Sequence, residues 1–242
     1  MRFSLTIAIL VIIAALLIFL LPSRKEQLSL TTGVSHELAQ TRAGRLSDIR
    51  YNLFFNIPEQ IDESIPAKLN LTFNLSDKKQ DLQLDFKEEG DHLLSLTING
   101  SALKPVIEQE HIVLPAKMLK KGANQVEIEF IAGELSLNRS DEYLYTLLVP
   151  DRARTVFPCF DQPDVKARFT LELELPADWV GSGNGSLETI QDKGERKLYA
   201  FKESAPISTY LFAFAAGRYA GLDFFLYHWW TRSPSSQGDN DE

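Results

Sequence analysis

Four histidines, one cysteine and 33 acidic side chains are the groups with which this 242-residue sequence could do hydrolytic or metal chemistry. His36, His92, His111 and His228 are scattered, with no two within five residues, so no pair has the spacing of a helical or hairpin metal site. His36-Glu37-Leu38-Ala39-Gln40 comes nearest to H-E-x-x-H, in which two imidazoles on one helix face hold zinc and the glutamate acts as base. Gln40 stands where the second imidazole belongs, and an amide is a poor zinc ligand. Neither a G-x-S-x-G nucleophile turn nor a G-x-x-x-x-G-K phosphate loop occurs. Gly181-Ser182-Gly183-Asn184-Gly185 is glycine-rich but no helical pattern follows it, so it reads as a flexible turn. Cys159, between Pro158 and Phe160, reads as a small buried hydrophobe. A lone thiol also excludes a disulfide framework and cysteine-based zinc sites.

The densest patterning runs from Arg152 to Phe169 and combines two prolines, the cysteine and alternating charge just ahead of a strand. Pro158 and Pro163 fix φ, and the Asp161 carboxylate suits nearby backbone amides, so the segment reads as a rigid, buried crossing. Arg154 and Arg168 are the candidate partners for Asp161 or Asp164. Such a segment organises a fold more readily than it catalyses.

The elements around it alternate with period two. Ile49, Tyr51, Leu53, Phe55 and Ile57 share one strand face, and the pattern returns at Leu69–Leu75, Leu82–Phe86, Leu94–Ile98, Val126–Phe130 and Phe169–Leu175. Tyr199–Phe201 and Tyr210–Ala216 add two more strands. Asn99-Gly100 predicts a tight hairpin, because both residues accept positive φ at low cost. Helical periodicity is nearly absent after Arg45. The fold class is therefore all-β, an antiparallel β-saddle or sandwich, preceded by one N-terminal transmembrane helix.

That helix is read from Leu5 to Leu21, apolar throughout except for Thr6 and closed by Pro22. Its reach of roughly 26 Å is at the short end of a bilayer span. It is longer than a usual secretory core and lacks an A-x-A cleavage pattern, which favours an uncleaved signal anchor over a cleaved signal. The expected organisation is an anchor at 1–25, a stalk or lead-in at 26–46 with a short helix near Val34 to Arg42, and a β-domain at 47–222. An aromatic segment at 223–232 and a disordered acidic tail at 233–242 complete it. The localisation expected is a single-pass membrane protein with its domain outside the cytoplasm. The net charge of −8 argues against nucleic acid as a partner, since phosphate binding needs clustered cations.

The Arg152–Phe169 stretch closely resembles the signature R-x-x-F-P-C-F-D-x-P-x-x-K-A-x-F of the N-terminal domain of the zinc aminopeptidases of the aminopeptidase N and leukotriene hydrolase family. Agreement falls at Arg154, Phe157, Pro158, Cys159, Phe160, Asp161, Pro163, Lys166, Ala167 and Phe169. Tyr51-Asn52-Leu53, Pro176-Ala177-Asp178-Trp179 with Gly183-Asn184-Gly185, and Ser208 to Gly217 match in family order, over roughly residues 47 to 222.

The resemblance implies a β-saddle that roofs one side of an active site whose zinc, H-E-x-x-H-x18-E ligands, G-x-M-E-N motif and catalytic tyrosine belong to the next domain. Those motifs do not occur in this sequence. It therefore implies no catalytic residue, metal ligand or cofactor in this chain, zinc belonging to the full-length family, and a truncated or split chain that is no enzyme by itself. A separately encoded catalytic domain is the expected partner, docking through Phe224, Phe225, Tyr227, Trp229 and Trp230. The family's roof also offers a Gln or Glu to substrate about a dozen residues before the signature aspartate. Here Tyr145 to Pro150 holds no acid or amide. The alternative from another class is an independent, membrane-anchored β-sandwich binding module for peptide or glycan.

Overall fold

The structure, a computed structural model, describes residues 30–219. The expected anchor at residues 5–21, the aromatic side chains Phe224 to Trp230 and the acidic tail lie outside the described residues. No helix within them is long and apolar enough to cross a membrane.

Among the described residues one helix, α1 (His36–Ala43), precedes fifteen strands. Eight form the main sheet in the order β13 (Leu187–Asp192), β14 (Arg196–Phe201), β11 (Ala167–Pro176), β1 (Leu46–Asn56), β2 (Pro66–Leu75), β8 (Gly122–Ile131), β4 (Leu93–Ile98) and β5 (Ser101–Ala102). A four-stranded sheet runs β12 (Val180–Gly183), β15 (Phe214–Gly217), β10 (Tyr143–Thr146) and β9 (Leu137–Arg139). The third sheet runs β3 (Leu82–Asp85), β7 (His111–Leu114) and β6 (Ile107–Glu108).

Period-two patterning decides which way the main sheet faces. Ile49, Tyr51, Leu53 and Phe55 of β1 are buried, as are Ala67, Leu69, Leu71 and Phe73 of β2 and Val126, Ile128 and Phe130 of β8. Each fully buried aliphatic or aromatic side chain contributes about 1.5–3 kcal/mol relative to exposure, which is why the alternation fixes register so firmly. The small sheets close over this inner face. Phe55 meets Phe214 of β15 at 4.9 Å between ring centroids, and Phe86, just past β3, meets Phe130 edge-on at 5.7 Å.

The all-β reading holds, but not every strand pair is antiparallel. β1 and β11 run parallel, Ile49 opposite Ala167 through Asn56 opposite Glu174. Alternation sets which residues face the core and is blind to strand direction, so nothing in either segment distinguishes the two cases. Asn99 and Gly100 form the expected two-residue hairpin, both at positive φ (51° and 81°), between β4 and β5. In β4 Leu96 and Ile98 are buried as the alternation expects, but Leu94 is exposed and Leu93 buried in its place, because a register irregularity falls between Leu93 and Ser95. Of the Tyr210–Ala216 strand only Phe214 onward is paired in a sheet; Thr209–Leu211 is a single 3-10 turn. Gly181-Ser182-Gly183 is strand β12, not a flexible turn, paired with β15 under Leu175 and Leu171. A Cβ at Gly185 would lie 1.9 Å from the Lys202 carbonyl oxygen, so the close approach of two backbones demands glycine.

Candidate functional site

The signature segment lies between β10 and β11 and adds itself to the edge of β3. The Asp85 amide donates to the Cys159 carbonyl (2.7 Å) and the Cys159 amide to the Asp85 carbonyl (3.0 Å). That bridge drives Phe157, Pro158, Cys159 and Phe160 into the core. The Phe157 ring meets Tyr51, Phe169 and Phe212 edge-on, and Phe160 meets Phe73. The Tyr51 hydroxyl accepts the Phe160 amide at 2.9 Å, which ties the middle of β1 to the signature.

Asp85, at the end of β3, sits at the centre of a buried polar knot. Arg42 of α1 reaches it with a two-pronged fork, Nη1 to Oδ2 at 2.7 Å and Nη2 to Oδ1 at 2.5 Å, and Nη2 also donates to the Gln83 carbonyl. Both side chains are 0% exposed. His111 Nδ1 lies 2.8 Å from Oδ1, off the line of a straight hydrogen bond, while Nε2 lies 3.0 and 3.1 Å from the carbonyl oxygens of Thr31 and Gly33. The Asp161 amide donates to Asp85 Oδ2 at 2.8 Å. The Asp161 carboxylate in turn accepts from the Arg154 amide (3.1 Å) and from Thr209 Oγ1 (2.7 Å).

Burial opposes ionisation of Asp85, but Arg42 and His111 outweigh it and hold the carboxyl below its ordinary range. Asp161 is shifted the other way. Burial dominates and raises it, with the Asp85 charge adding to the rise against the bonds from Thr209 and Arg154. Burial pushes the Cys159 thiol well up, so the thiolate needed for a nucleophile is suppressed. With its lone pairs engaged by Arg42, His111 and the Asp161 amide, Asp85 offers no free base either. The chemistry of this cluster is cohesion.

Of the signature residues, Arg154 is half-buried at the rim of the knot, with Nη1 3.6 Å from Asp161. Pro163 is exposed and its carbonyl accepts from Ser208 Oγ at 2.6 Å. Lys166 is exposed. Arg168 does not reach either aspartate; it faces Glu203 at 3.8 Å, because it points out of β11 on the solvent side. The described part of the 26–46 lead-in is docked on the domain: Arg42 and Leu38 are buried, and the Thr31 and Gly33 carbonyls lie against His111. Arg42, Asp85 and His111 were missed by sequence reasoning. The usable signal was an arginine in a segment otherwise short of apolar residues and an aspartate ending an apolar strand, and both are too common to single out.

Zinc does not fit the described residues. His36 is exposed on α1, His92 Nδ1 faces the Ile131 carbonyl at 3.1 Å, and both nitrogens of His111 face oxygens within the knot. No group of three or more His, Cys, Asp or Glu among the described residues could hold a metal ion.

The opposite character appears along β10 and the segment after it. Leu144, Thr146 and Leu148 face inward, while Tyr143, Tyr145, Leu147 and Val149 face out and are 40%, 41%, 55% and 53% exposed. Tyr143 stacks on Tyr145 at 6.1 Å and approaches Tyr219 at 6.4 Å. Four large apolar groups in a row on the outside of a small sheet make a contiguous apolar strip, the kind of surface that marks a contact site. It includes the stretch Tyr145 to Pro150 that carries no acid or amide.

Comparison with known proteins places this geometry. The family model described as the Peptidase M1 N-terminal domain matches residues 47–211. "Leucine aminopeptidase 2" of Neurospora crassa is 31% identical over 121 residues, 46% of this chain and 18% of that protein. "Probable M1 family aminopeptidase 2" of Encephalitozoon cuniculi is 32% identical over 144 residues, 56% of this chain and 16% of that protein. The chain thus spans less than a fifth of the length of these relatives. In three dimensions it resembles the M1 zinc metallopeptidase of Deinococcus radiodurans, with a TM-score of 0.61 at 19% identity, covering 72% of this chain and 42% of that one. That likeness speaks for the fold.

Proposed function

We propose that this chain, which belongs to the Peptidase M1 N-terminal domain family, is a non-catalytic roof for a zinc aminopeptidase active site and hydrolyses nothing by itself. The observation that carries the reading is the division of labour between its two conspicuous regions. The signature side chains from Phe157 to Asp161 are turned inward and tied to the polar knot, whereas the apolar row from Tyr143 to Val149 faces out and, among the described residues, is met from outside its own strand only by Tyr219 beside Tyr143. A catalytic domain carrying the zinc ligands would cover that row. The metal's contribution there is to activate water for attack on a peptide bond. This chain's residues bind and exclude water: an apolar wall beside a polar centre lowers the local dielectric and strengthens every charge interaction inside. With Leu147 and Val149 in place of a carboxylate or amide, the wall offers substrate apolar surface and the Tyr143 and Tyr145 hydroxyls.

The reading extends to location. Residues 5–21 are proposed as a single-pass anchor that holds the domain outside the cytoplasm, beside a catalytic domain carried by a separate polypeptide or by a longer form of the chain. Phe224, Phe225, Tyr227, Trp229 and Trp230 are proposed as further docking side chains.

The test is reconstitution. The chain alone is expected to leave aminoacyl-anilides intact with zinc supplied, and to change the KM or the kcat of an M1 catalytic domain added to it. Chelator-sensitive hydrolysis by the chain alone would refute the reading. Resistance of the chain to carbonate extraction from membranes, together with digestion of the domain by external protease, checks the anchor and its orientation.

A further inference from the structure

The outer face of the main sheet carries a second feature, on the side of the sandwich away from the Tyr143–Val149 row and independent of the roof reading. A depression of about 650 Å³ crosses the five strands β11, β1, β2, β8 and β4. Four interstrand steps make it roughly 19 Å long. Register sets its side chains in two rows. In one, Phe54 of β1 stands between Glu172 and Lys68, and Lys68 stands beside Glu129. In the next, Thr170, Asn52, Asn70 and Glu127 lie side by side, with Thr97 completing the row on β4.

The charges narrow the ligand. Lys68 is engaged by Glu129 at 2.8 Å, and one row further along Arg50 and Arg168 share Glu203 at 2.5 and 3.8 Å. Among the described residues of this face each of these cations thus already faces a carboxylate, and none is set aside for a phosphate, sulfate or uronate. An extended peptide cannot join as a strand, since the backbone of these inner strands is already paired on both sides. What stands open is hydrogen-bonding capacity. The Asn52 carboxamide, the Thr97 and Thr170 hydroxyls and the Glu172 carboxylate bond to no other described group, and Glu127 accepts only a 3.4 Å contact from Gln125. Carboxamides and hydroxyls both donate and accept, as ligand hydroxyls do. Phe54, half-buried among them, offers an apolar ring surface. A second depression of about 380 Å³ continues the surface with Thr72, Asn74 and Gln125, again carboxamide and hydroxyl.

We propose that this face binds a neutral, polyhydroxylated chain, an uncharged oligosaccharide lying across the strands, with a sugar ring against Phe54 and its hydroxyls on Asn52, Thr97, Thr170 and Glu172.

The experiment is an amide-shift titration of the full chain in a zwitterionic detergent, chosen because sugar-headed detergents would compete. The probes are cellotetraose, chitotetraose and maltotetraose, with tetralysine as the cationic control. At least one tetrasaccharide is expected to give saturable shifts confined to β1, β2, β4, β8 and β11. Phe54→Ala with Asn52→Ala is expected to weaken it about tenfold or more, on the scale of one or two lost hydrogen bonds. Thr97→Val tests the same surface with a near-isosteric change that leaves the fold in place. The proposal is overturned if no tetrasaccharide produces saturable shifts at millimolar concentration, if the variants bind as well as the parent, or if only tetralysine binds, which would make the face a cation site built on Glu172 and Glu127.

Discussion

The knot around Asp85 and the row from Tyr143 to Val149 break opposite habits of globular proteins, the first by burying charge and the second by exposing rings and aliphatic groups. Their difference lies in where the compensation is found. Every group that faces Asp85 belongs to the same domain: Arg42 from α1, His111 from β7, the Asp161 amide from the signature. Among the described residues the outward row has no such closure beyond Tyr219 against Tyr143. A violation compensated within the chain reads as architecture, and one left open reads as a place for something else.

The largest expected effect comes from Asp85→Ala, which leaves Arg42 and His111 buried without their carboxylate. A loss of about 3–5 kcal/mol is expected in denaturant unfolding. A loss no greater than that of a surface substitution would erase the distinction between the two regions. Tyr51→Phe deletes only the hydroxyl that accepts the Phe160 amide and should cost about 1–3 kcal/mol, the penalty of one buried donor left unpaired.

A smaller effect is expected from pH. Asp85 is held below its ordinary range in the folded state, so its contribution is complete above the unfolded value and drains away as pH falls through the folded one. Asp161, raised by burial, acts with the opposite sign: stability declines as pH climbs from the ordinary carboxylate value to the folded one. Unfolding free energies measured from strongly acid to neutral pH should lose the acid-side decline in Asp85→Asn and keep it in Asp161→Asn. The smallest effect on stability belongs to Tyr145→Ser combined with Val149→Ser, within about 0.5 kcal/mol. The same pair should weaken association with an M1 catalytic domain in a pull-down or calorimetric titration, and unchanged association would remove the row from the interface.

Much of the main sheet was legible in the sequence because its strands are long and half-buried, and alternation carries that information directly. Leu69 to Leu75 and Val126 to Phe130 fall inside β2 and β8, and Asn99-Gly100 turns where its chemistry says it must. The short strands β6, β7, β9 and β10 are two to four residues each, too few for a period to show. The signature announced a rigid crossing, and Asp161 does hold backbone there. Its true neighbours, Arg42, Asp85 and His111, come from segments far apart along the chain, and no local pattern reports a contact made only when three elements meet. Arg168 shows the converse, a charge near in sequence that the strand's pleat turns away from its expected partner.

The side-by-side alignment of β1 with β11 bears on how such a domain is made. A growing polypeptide releases β1 early, yet Ile49 finds Ala167 only after most of the domain has been synthesised. Until then one flank of β1 is bare, an adhesive border open to strangers. Assembly of the main sheet is consequently a late, long-range event, slow by the measure of contact separation, and a piece released by cleavage just ahead of the signature would keep that border permanently open.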